Sequence, residues 1–216
     1  MKLVLASSSP SRKGLLLSGG IDPLIHAPEV DEEAVLARHA GASATDKVLA
    51  LAQAKAAAVA PHYPQDVVVA CDSMLLLDGQ LQGKPKTVDN TVARWRAQRG
   101  KTAELLTGHC IALPTSGEPE GNHAAQGERA HHLECVRTLI HFGTPSDADI
   151  RAYAEGGEPL WCAGAFTLEA QGAWFIDSIE GDPSSVIGLS LPLVRRVLAQ
   201  HGVDISTLWN RAAATR

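Results

Sequence analysis

The chain has 216 residues, of which 45% are hydrophobic and 20% charged, and its formal net charge is −5. This composition is ordinary for a globular protein, and the acidic balance argues against a duplex nucleic-acid binder, which shows a basic face. The sequence has no apolar run as long as the roughly 18 residues of a membrane helix, and no signal-peptide pattern. We therefore expect one cytoplasmic domain over residues 1–216, with no nucleic-acid or membrane partner.

The four cysteines are far apart in apolar stretches and form no C-x-x-C pair. Buried, reduced thiols are the expected state of such residues in a cytosolic protein. The nine histidines likewise lack the close spacing that marks a zinc site.

The first half of the chain predicts a strand over 2–6 and a helix over 12–18 capped by Ser11. The alanine-rich segment 45–60 predicts a longer helix capped by Thr45. Both helix predictions depend on a polar capping residue next to an apolar pattern.

The middle of the chain begins with DVVVACDSMLLLDGQLQG (66–83), which predicts two strands around the hairpin turn Asp78-Gly79. A helix is expected next, over 87–99. Strand-like segments follow at 103–113, 131–142, 161–167 and 173–179.

The remaining segments predict a mobile polar loop over 114–130 and two more helices. The first spans 146–157 with a capping box from Ser146, and the second begins near Ser190. Alternating helices and hairpins indicate an α/β domain with a mixed sheet.

Asp72 lies inside the apolar run VVVACDSMLLL, where a buried strand would have hydrophobic residues on both faces. A carboxylate there is costly unless it is paired, hydrogen-bonded or bound to a metal. It is either a strand-end Asp bonded to nearby backbone or lysine, or part of a functional site. We favour the functional site, because perturbed buried carboxylates cluster in such places.

Lys55 shares one face of its predicted helix with Val48, Ala52 and Val59. The side chain either bends outward to solvent or points its ammonium into a polar pocket. Lys84, in LQGKPKT (81–87), is either a surface-turn residue or is returned toward Asp72 by the hairpin.

The segment APEVDEE (27–33) is rich in carboxylates. A solvated acidic turn is the ordinary interpretation. Hard divalent cations take carboxylate oxygens, however, so one of these side chains can share an ion with Asp72.

Together these features fit phosphoanhydride hydrolysis. The hydroxyls, amides and helix start of SSSPSRK (7–13) can bind phosphate oxygens. The cations to neutralise the phosphates are Arg12, Lys13, Lys55 and Lys84, and a metal on carboxylates can polarise a phosphoryl group. Two rival interpretations are weaker, since GLSLP (188–192) lacks the last Gly of a nucleophile elbow and Cys71 has no partner His.

The sequence resembles the Maf family of nucleoside triphosphate pyrophosphatases along nearly its whole length. The matching segments run in order: LVLASSSPSRK, PEVDE, LAQAKAAAVA, VVVACDS, DGQLQGKP, TGHCIAL, DIRAYAEGGEP, CAGAF and VIGLSLPLV. The resemblance implies an elongated mixed β-sheet with flanking helices and two lobes around a central cleft, often as a homodimer. It also implies hydrolysis between the α- and β-phosphates with a divalent cation, Mg²⁺ or Mn²⁺.

The resemblance assigns roles to individual residues. Asp72 matches the catalytic acid/base and metal-binding position, and Glu32 a metal-side carboxylate. The residues that match substrate-binding positions are Ser7, Ser9, Arg12, Lys13, Lys55 and Lys84.

Within the family, WCAGAFTLEAQG and EGDP resemble the branch that acts on 7-methyl-GTP, with Glu169 at a specificity position. Ser11 and Ser73, at two further specificity positions, match neither that branch nor the dTTP and UTP branch. The alternatives are therefore a dTTP/UTP pyrophosphatase and a non-catalytic nucleotide-binding regulator of division.

Overall fold

The computed structural model describes residues 1–114 and 129–210, and within them seven strands form one mixed sheet. The strands are β1 (Leu3–Leu5), β2 (Leu24–Ile25), β3 (Val67–Leu77), β4 (Gln80–Gln82), β5 (Thr102–Ala112), β6 (His131–Phe142) and β7 (Ile176–Glu180). Their order is β2-β1-β3-β5-β6-β7, with β4 paired to β3. The pairs of β1 with β2 and β3 are parallel, whereas all other pairs are antiparallel.

Helices flank the sheet. They are α1 (Pro10–Ser18), α2 (Glu32–Arg38), α3 (Ala44–Val59), α4 (Val88–Gln98), α5 (Asp147–Glu155), α6 (Pro183–Ile187) and α7 (Leu191–Gln200). None of the described helices is long and apolar enough to cross a membrane. The mixed α/β architecture expected from the sequence is confirmed.

Three hydrophobic clusters pack these helices on the sheet. Alternate residues of β3 divide between the faces: Val69 belongs to a cluster with α1 and α7, and Val68 to one beneath α3. The third cluster, around Leu75 and Trp95, joins the far half of β3 to α4 and α5. Leu15, packed against the first cluster, and Phe166, in the third cluster, both line one cavity.

Most predicted elements are confirmed, including the hairpin at Asp78-Gly79, the capping box at Ser146 and the long helix α3. Two predicted caps are wrong by two residues. Ser9 and Ser43 cap α1 and α3 instead of Ser11 and Thr45, because their hydroxyls accept the backbone N–H three residues on.

Three further predictions need correction. The acidic segment is not a turn: Asp31 caps α2, and acidic residues stabilise the first turn of a helix. Residues 161–167 are not a strand, because Gly164 and Ala165 have φ of 70° and 61°, and short 3₁₀ turns replace it. The strand predicted at 173–179 begins only at Ile176. The loop predicted over 114–130 lies mostly outside the described residues.

All four cysteines are free thiols. Cys71 and Cys110 are buried, whereas Cys135 and Cys162 are half-buried. Burial raises the pKa of Cys71 to about 12, so this thiol stays protonated, against a role as nucleophile.

Candidate active site

The site forms at a gap along one edge of β3. On that edge β3 pairs with β1 only at Val67–Val69 and with β4 only at Leu75–Leu77. On its other edge β3 pairs continuously with β5. Asp72 and Ser73 lie between the two partners, and although their side chains leave opposite faces of the strand, both reach the cavity.

The cavity has a volume of about 1110 Å³, large enough for a nucleotide. Most of the residues singled out in the sequence line it: Ser7, Ser9, Ser11, Arg12, Glu32, Lys55, Asp72, Ser73, Lys84 and Glu169. Lys13 does not. Its side chain is exposed on α1 and is absent from the cavity lining.

The serine loop between β1 and α1 is held by its own hydroxyls. Ser7 Oγ accepts the backbone N–H of Ser9 at 3.1 Å, and Ser9 Oγ accepts that of Arg12 at 3.4 Å. Since both hydroxyl oxygens act as acceptors here, their hydrogens are free to donate to an anion. At the start of α1, Pro10 has no N–H and the N–H of Arg12 donates to Ser9, so the N–H of Ser11 is the further donor that this turn adds at the cavity lining.

The Arg12 guanidinium joins three parts of the chain. Its Nε donates to the carbonyl of Gly188 at 2.7 Å, and its terminal nitrogens donate to the hydroxyls of Ser7 and Ser73 at 3.2 and 3.3 Å. Gly188 has φ of 118°, and a Cβ there would lie 2.9 Å from Arg12 Nε. A glycine is therefore needed where the end of α6 meets this side chain.

The Lys55 ammonium lies between two carboxylates. Its Nζ is 2.6 Å from Asp72 Oδ1 and 2.7 Å from Glu32 Oε1, and the lysine side chain is 10% exposed. The structure thus resolves the alternative that the sequence left open: Lys55 points into the polar pocket. Burial of an ammonium is tolerated here because two carboxylates pair with it.

Close packing of α3 on the sheet makes that contact possible. Gly108 of β5 lies opposite Asp72 in the strand register, and α3 passes directly over it. A Cβ on Gly108 would lie 2.5 Å from the Val48 carbonyl oxygen. The absent side chain lets the helix approach closely enough for Lys55 to reach Asp72.

The two carboxyl groups differ in their pKa values. Burial raises the pKa of Asp72 above its ordinary value, against the opposing charge and hydrogen bond of Lys55. Glu32 is less buried, and despite that burial the hydrogen bond and charge of Lys55 lower its pKa. A carboxyl with a raised pKa is suited to general acid–base chemistry near neutral pH.

The carboxylate pair also fits a divalent cation. Mg²⁺ is typically held by one or two protein carboxylates together with substrate phosphates and water. Within residues 1–114 and 129–210, no cluster of three or more His, Cys, Asp or Glu side chains could hold a metal by itself. Asp72 and Glu32 are two carboxylates of the kind that such a site uses.

The loop that carries Lys84 is fixed by its backbone. Arg94 donates to the carbonyl of Gly83, and the Lys86 N–H donates to the carbonyl of Leu160 at 2.9 Å. Lys84 lines the same cavity as Asp72 and Glu32. After Lys55, its charge also contributes to lowering the pKa of Glu32 against the effect of burial. The hairpin thus returns Lys84 to the Asp72 region.

Glu158 was not recognised in the sequence. Its carboxylate accepts from the hydroxyls of Tyr153 and Thr167 and from the backbone N–H groups of Gln171 and Gly172. These bonds lower the pKa of Glu158 despite its burial. The only sequence signal was an acidic residue between glycine and proline in EGGEP, which looked like a helix-ending turn.

Glu169 lies on the loop that Glu158 organises. The side chain is exposed, and one carboxylate oxygen accepts the backbone N–H of Leu168 at 3.1 Å. Ser73, within β3, bonds to Arg12 and, at 3.0 Å, to Thr107. Ser73 therefore contacts the groups around Arg12, whereas Glu169 bonds within its own loop.

A buried histidine forms a hydrogen bond with the start of α7. His109 Nε2 accepts the backbone N–H of Ser190 at 2.8 Å, so its hydrogen is on Nδ1, which donates to the carbonyl of Thr107. Burial lowers the pKa of His109 from 6.5 to about 4. This neutral imidazole fixes the helix start near Arg12 and Gly188.

Acidification should therefore destabilise the protein through His109. Between pH 6.5 and about 4 the unfolded state binds a proton that the folded state excludes. Stability should be fully present above pH 6.5 and lost as the pH falls, by up to about 1.4 kcal/mol per pH unit. The free energy of unfolding, measured by chemical denaturation at several pH values, should fall less steeply with decreasing pH in His109→Gln than in wild type. The exposed His201→Gln serves as control, and an unchanged slope for His109→Gln would contradict this origin.

Residues 2–201 match the family model described as Maf-like protein. The chain belongs to the Maf family. A Maf relative from Corynebacterium diphtheriae is 59% identical over 97% of this chain and 99% of its own length. Relatives from Corynebacterium efficiens and Rhodococcus jostii are 57% and 50% identical, covering 98% and 95% of this chain and 100% and 95% of their own. All three carry the name nucleoside triphosphate pyrophosphatase.

Proposed function

We propose that this Maf protein is a nucleoside triphosphate pyrophosphatase that hydrolyses the α–β phosphoanhydride bond of 7-methyl-GTP. The observation that carries the reaction is the buried Asp72, bonded to Lys55 at 2.6 Å in a cavity that Arg12 and Lys84 also line. The name shared by the relatives supports the coarser statement that the protein is a nucleotide pyrophosphatase.

The cationic end of the cavity suits a triphosphate. Arg12, Lys55 and Lys84 supply positive charge, while Ser7, Ser9 and the start of α1 supply hydrogen-bond donors. Arg12 is held by Gly188 and two serine hydroxyls, so its orientation is set before substrate binds. Such preorganised donors stabilise charge that develops on phosphate oxygens during bond cleavage.

Asp72 is proposed as the general base. In its ionised form it accepts a proton from the water that attacks the α-phosphorus, while the bond to the β,γ-unit breaks and pyrophosphate leaves with the electron pair. A divalent cation, Mg²⁺ or Mn²⁺, held by Asp72 and Glu32 would supply charge neutralisation and Lewis acidity. Lys55 orients both carboxylates in its absence.

The product distinguishes this reaction from other phosphatase chemistry. A panel of 7-methyl-GTP, GTP, dTTP and UTP should be assayed with Mg²⁺ or Mn²⁺ for monophosphate, pyrophosphate and orthophosphate. We expect pyrophosphate with a monophosphate, and 7-methyl-GTP as the best substrate. Diphosphate and orthophosphate as products would move the protein to another reaction class, and no turnover at all would favour a nucleotide-binding regulator.

The choice of base is proposed to depend on Glu169. A 7-methylguanine ring is positively charged and presents two N–H donors along one edge, which a carboxylate can accept. Glu169→Gln should lower kcat/KM for 7-methyl-GTP about 5- to 30-fold, which corresponds to a loss of about 1–2 kcal/mol of transition-state stabilisation. UTP turnover should hardly change, because uracil lacks that pair of donors.

The matched control is Glu155→Gln, because Glu155 is an exposed carboxylate on α5 outside the cavity lining. Equal losses on purine and pyrimidine triphosphates would show that Glu169 supports the loop or the phosphates and does not distinguish bases.

A further inference from the structure

Trp161 is an exposed indole on the wall of the cavity. Its side chain is 65% exposed, whereas the other aromatic residue in the cavity lining, Phe166, is 4% exposed and packs edge-on against Phe142. A tryptophan carries a large apolar surface, and leaving it in water forgoes the free energy of burial. A planar ligand that covers this surface would recover it.

The backbone beneath Trp161 is firmly held. It ends the 3₁₀ turn Glu158–Trp161, in which the Cys162 N–H donates to the carbonyl of Pro159 at 3.2 Å. The preceding carbonyl, of Leu160, accepts the Lys86 N–H from the loop that carries Lys84. The backbone that carries the indole is thus tied to the loop that carries Lys84.

Two carboxylates, those of Glu158 and Glu169, line the cavity together with Trp161. The thiol of Cys162, the next residue, has its pKa raised to about 11, first by burial and then by the negative charges of Glu169 and Glu158. Lys84 opposes this effect. The negative charges of Glu169 and Glu158 therefore act on the wall segment that carries Trp161.

We infer that Trp161 stacks on the purine base and selects a cationic, N7-alkylated ring over a neutral one. A cation over an indole face is attracted by the ring quadrupole, and nearby carboxylates add to that attraction. The inference rests on the proposed function only in taking a nucleotide as the ligand. It adds a residue that contacts the base and gives the reason for discrimination by charge.

The test is equilibrium binding of product monophosphates in the absence of metal, so that turnover plays no part. Calorimetry should show Trp161→Leu binding 7-methyl-GMP about 10-fold more weakly, within the range expected for loss of one base–aromatic stack. The loss for GMP should be smaller, and UMP should change little. Trp161→Phe should retain part of the preference for 7-methyl-GMP.

Fluorescence supplies an independent measurement with a matched control. Trp174 is 87% exposed and does not line the cavity. Quenching of tryptophan emission by 7-methyl-GMP should persist in Trp174→Phe and be lost in Trp161→Phe. Trp174→Leu should bind every nucleotide like wild type.

Several results would overturn the inference: no binding of 7-methyl-GMP to wild type, equal weakening for all three monophosphates, or unchanged affinity and quenching without Trp161. Failure of the proposed function is separate, since it would appear as no pyrophosphate from any triphosphate. If the wild-type enzyme releases pyrophosphate and Trp161→Leu has the same KM for 7-methyl-GTP, the stacking inference is contradicted and the proposed function is not.

Discussion

Asp72→Asn is expected to lower kcat by about 100-fold or more while the protein remains folded. An amide cannot accept the proton of attacking water or complete a pair of cation-binding carboxylates with Glu32. The fold should survive because Asn is nearly isosteric and its carbonyl oxygen can still accept from Lys55. Initial rates of pyrophosphate release, with thermal unfolding measured alongside, provide the measurement.

Asp22→Asn is a suitable control for this substitution, since Asp22 is exposed and lies outside the cavity lining. It should retain wild-type turnover. Near-wild-type kcat in a folded Asp72→Asn protein would remove Asp72 from the chemistry and leave it a structural partner of Lys55.

Gly108→Ala is expected to damage both stability and activity. The new Cβ would lie 2.5 Å from the Val48 carbonyl oxygen and 2.6 Å from its carbon, so α3 must move off the sheet. Overpacking of this kind costs about 1–3 kcal/mol, and here the obstacle is a helix backbone that cannot turn aside like a side chain. Denaturant titration should show the loss directly.

Activity should fall further than stability alone explains. Lys55 is two turns along α3 from Val48, so a shift of the helix carries its ammonium away from Asp72. A displacement of about 1 Å at such a contact can cost about 100-fold in rate. The effect should appear in kcat at temperatures where the variant is fully folded.

The control for this pair of effects is Gly41→Ala, because a Cβ at Gly41 meets no atom within 4 Å. It should leave stability and turnover near wild type. Wild-type stability for Gly108→Ala would mean that α3 does not require this close approach.

The sequence predicted local structure well wherever a residue and its near neighbours determine the backbone. The Asp-Gly turn and the Ser146 capping box are decided by side chains two or three residues away, and both are confirmed. The misplaced caps show the limit of this reasoning. In SSSPSRK and ASAT several hydroxyls are chemically able to cap, and only packing of the whole helix selects Ser9 and Ser43.

The strand predicted at 161–167 was wrong for a different reason. Its apolar composition fits a buried strand, but Ala165 is buried with positive φ because its carbonyl accepts from Trp95 Nε1 at 2.7 Å and the surrounding turns fix it. Tertiary contacts can hold a residue in a conformation that its own preference disfavours. No pattern within the segment contains that information.

For the site, the sequence by itself determined the chemical inventory: a carboxylate in an apolar strand, a lysine on an apolar helix face, and a serine loop before a helix. The order of its motifs was also enough to indicate the Maf family. These are local or one-dimensional properties, because charge, burial preference and motif order can be obtained without knowing which segments meet.

Only the tertiary structure decided the arrangement of those groups. It turned Lys55 inward between Asp72 and Glu32, left Lys13 outside the cavity, and joined Arg12 to Ser73 and Gly188, which are 61 and 176 residues away. It also left the edge of β3 open at Asp72, because pairing with β1 ends at Val69 and pairing with β4 begins at Leu75. Such contacts depend on how helices pack across a sheet, and a single sequence does not specify distances between segments so far apart.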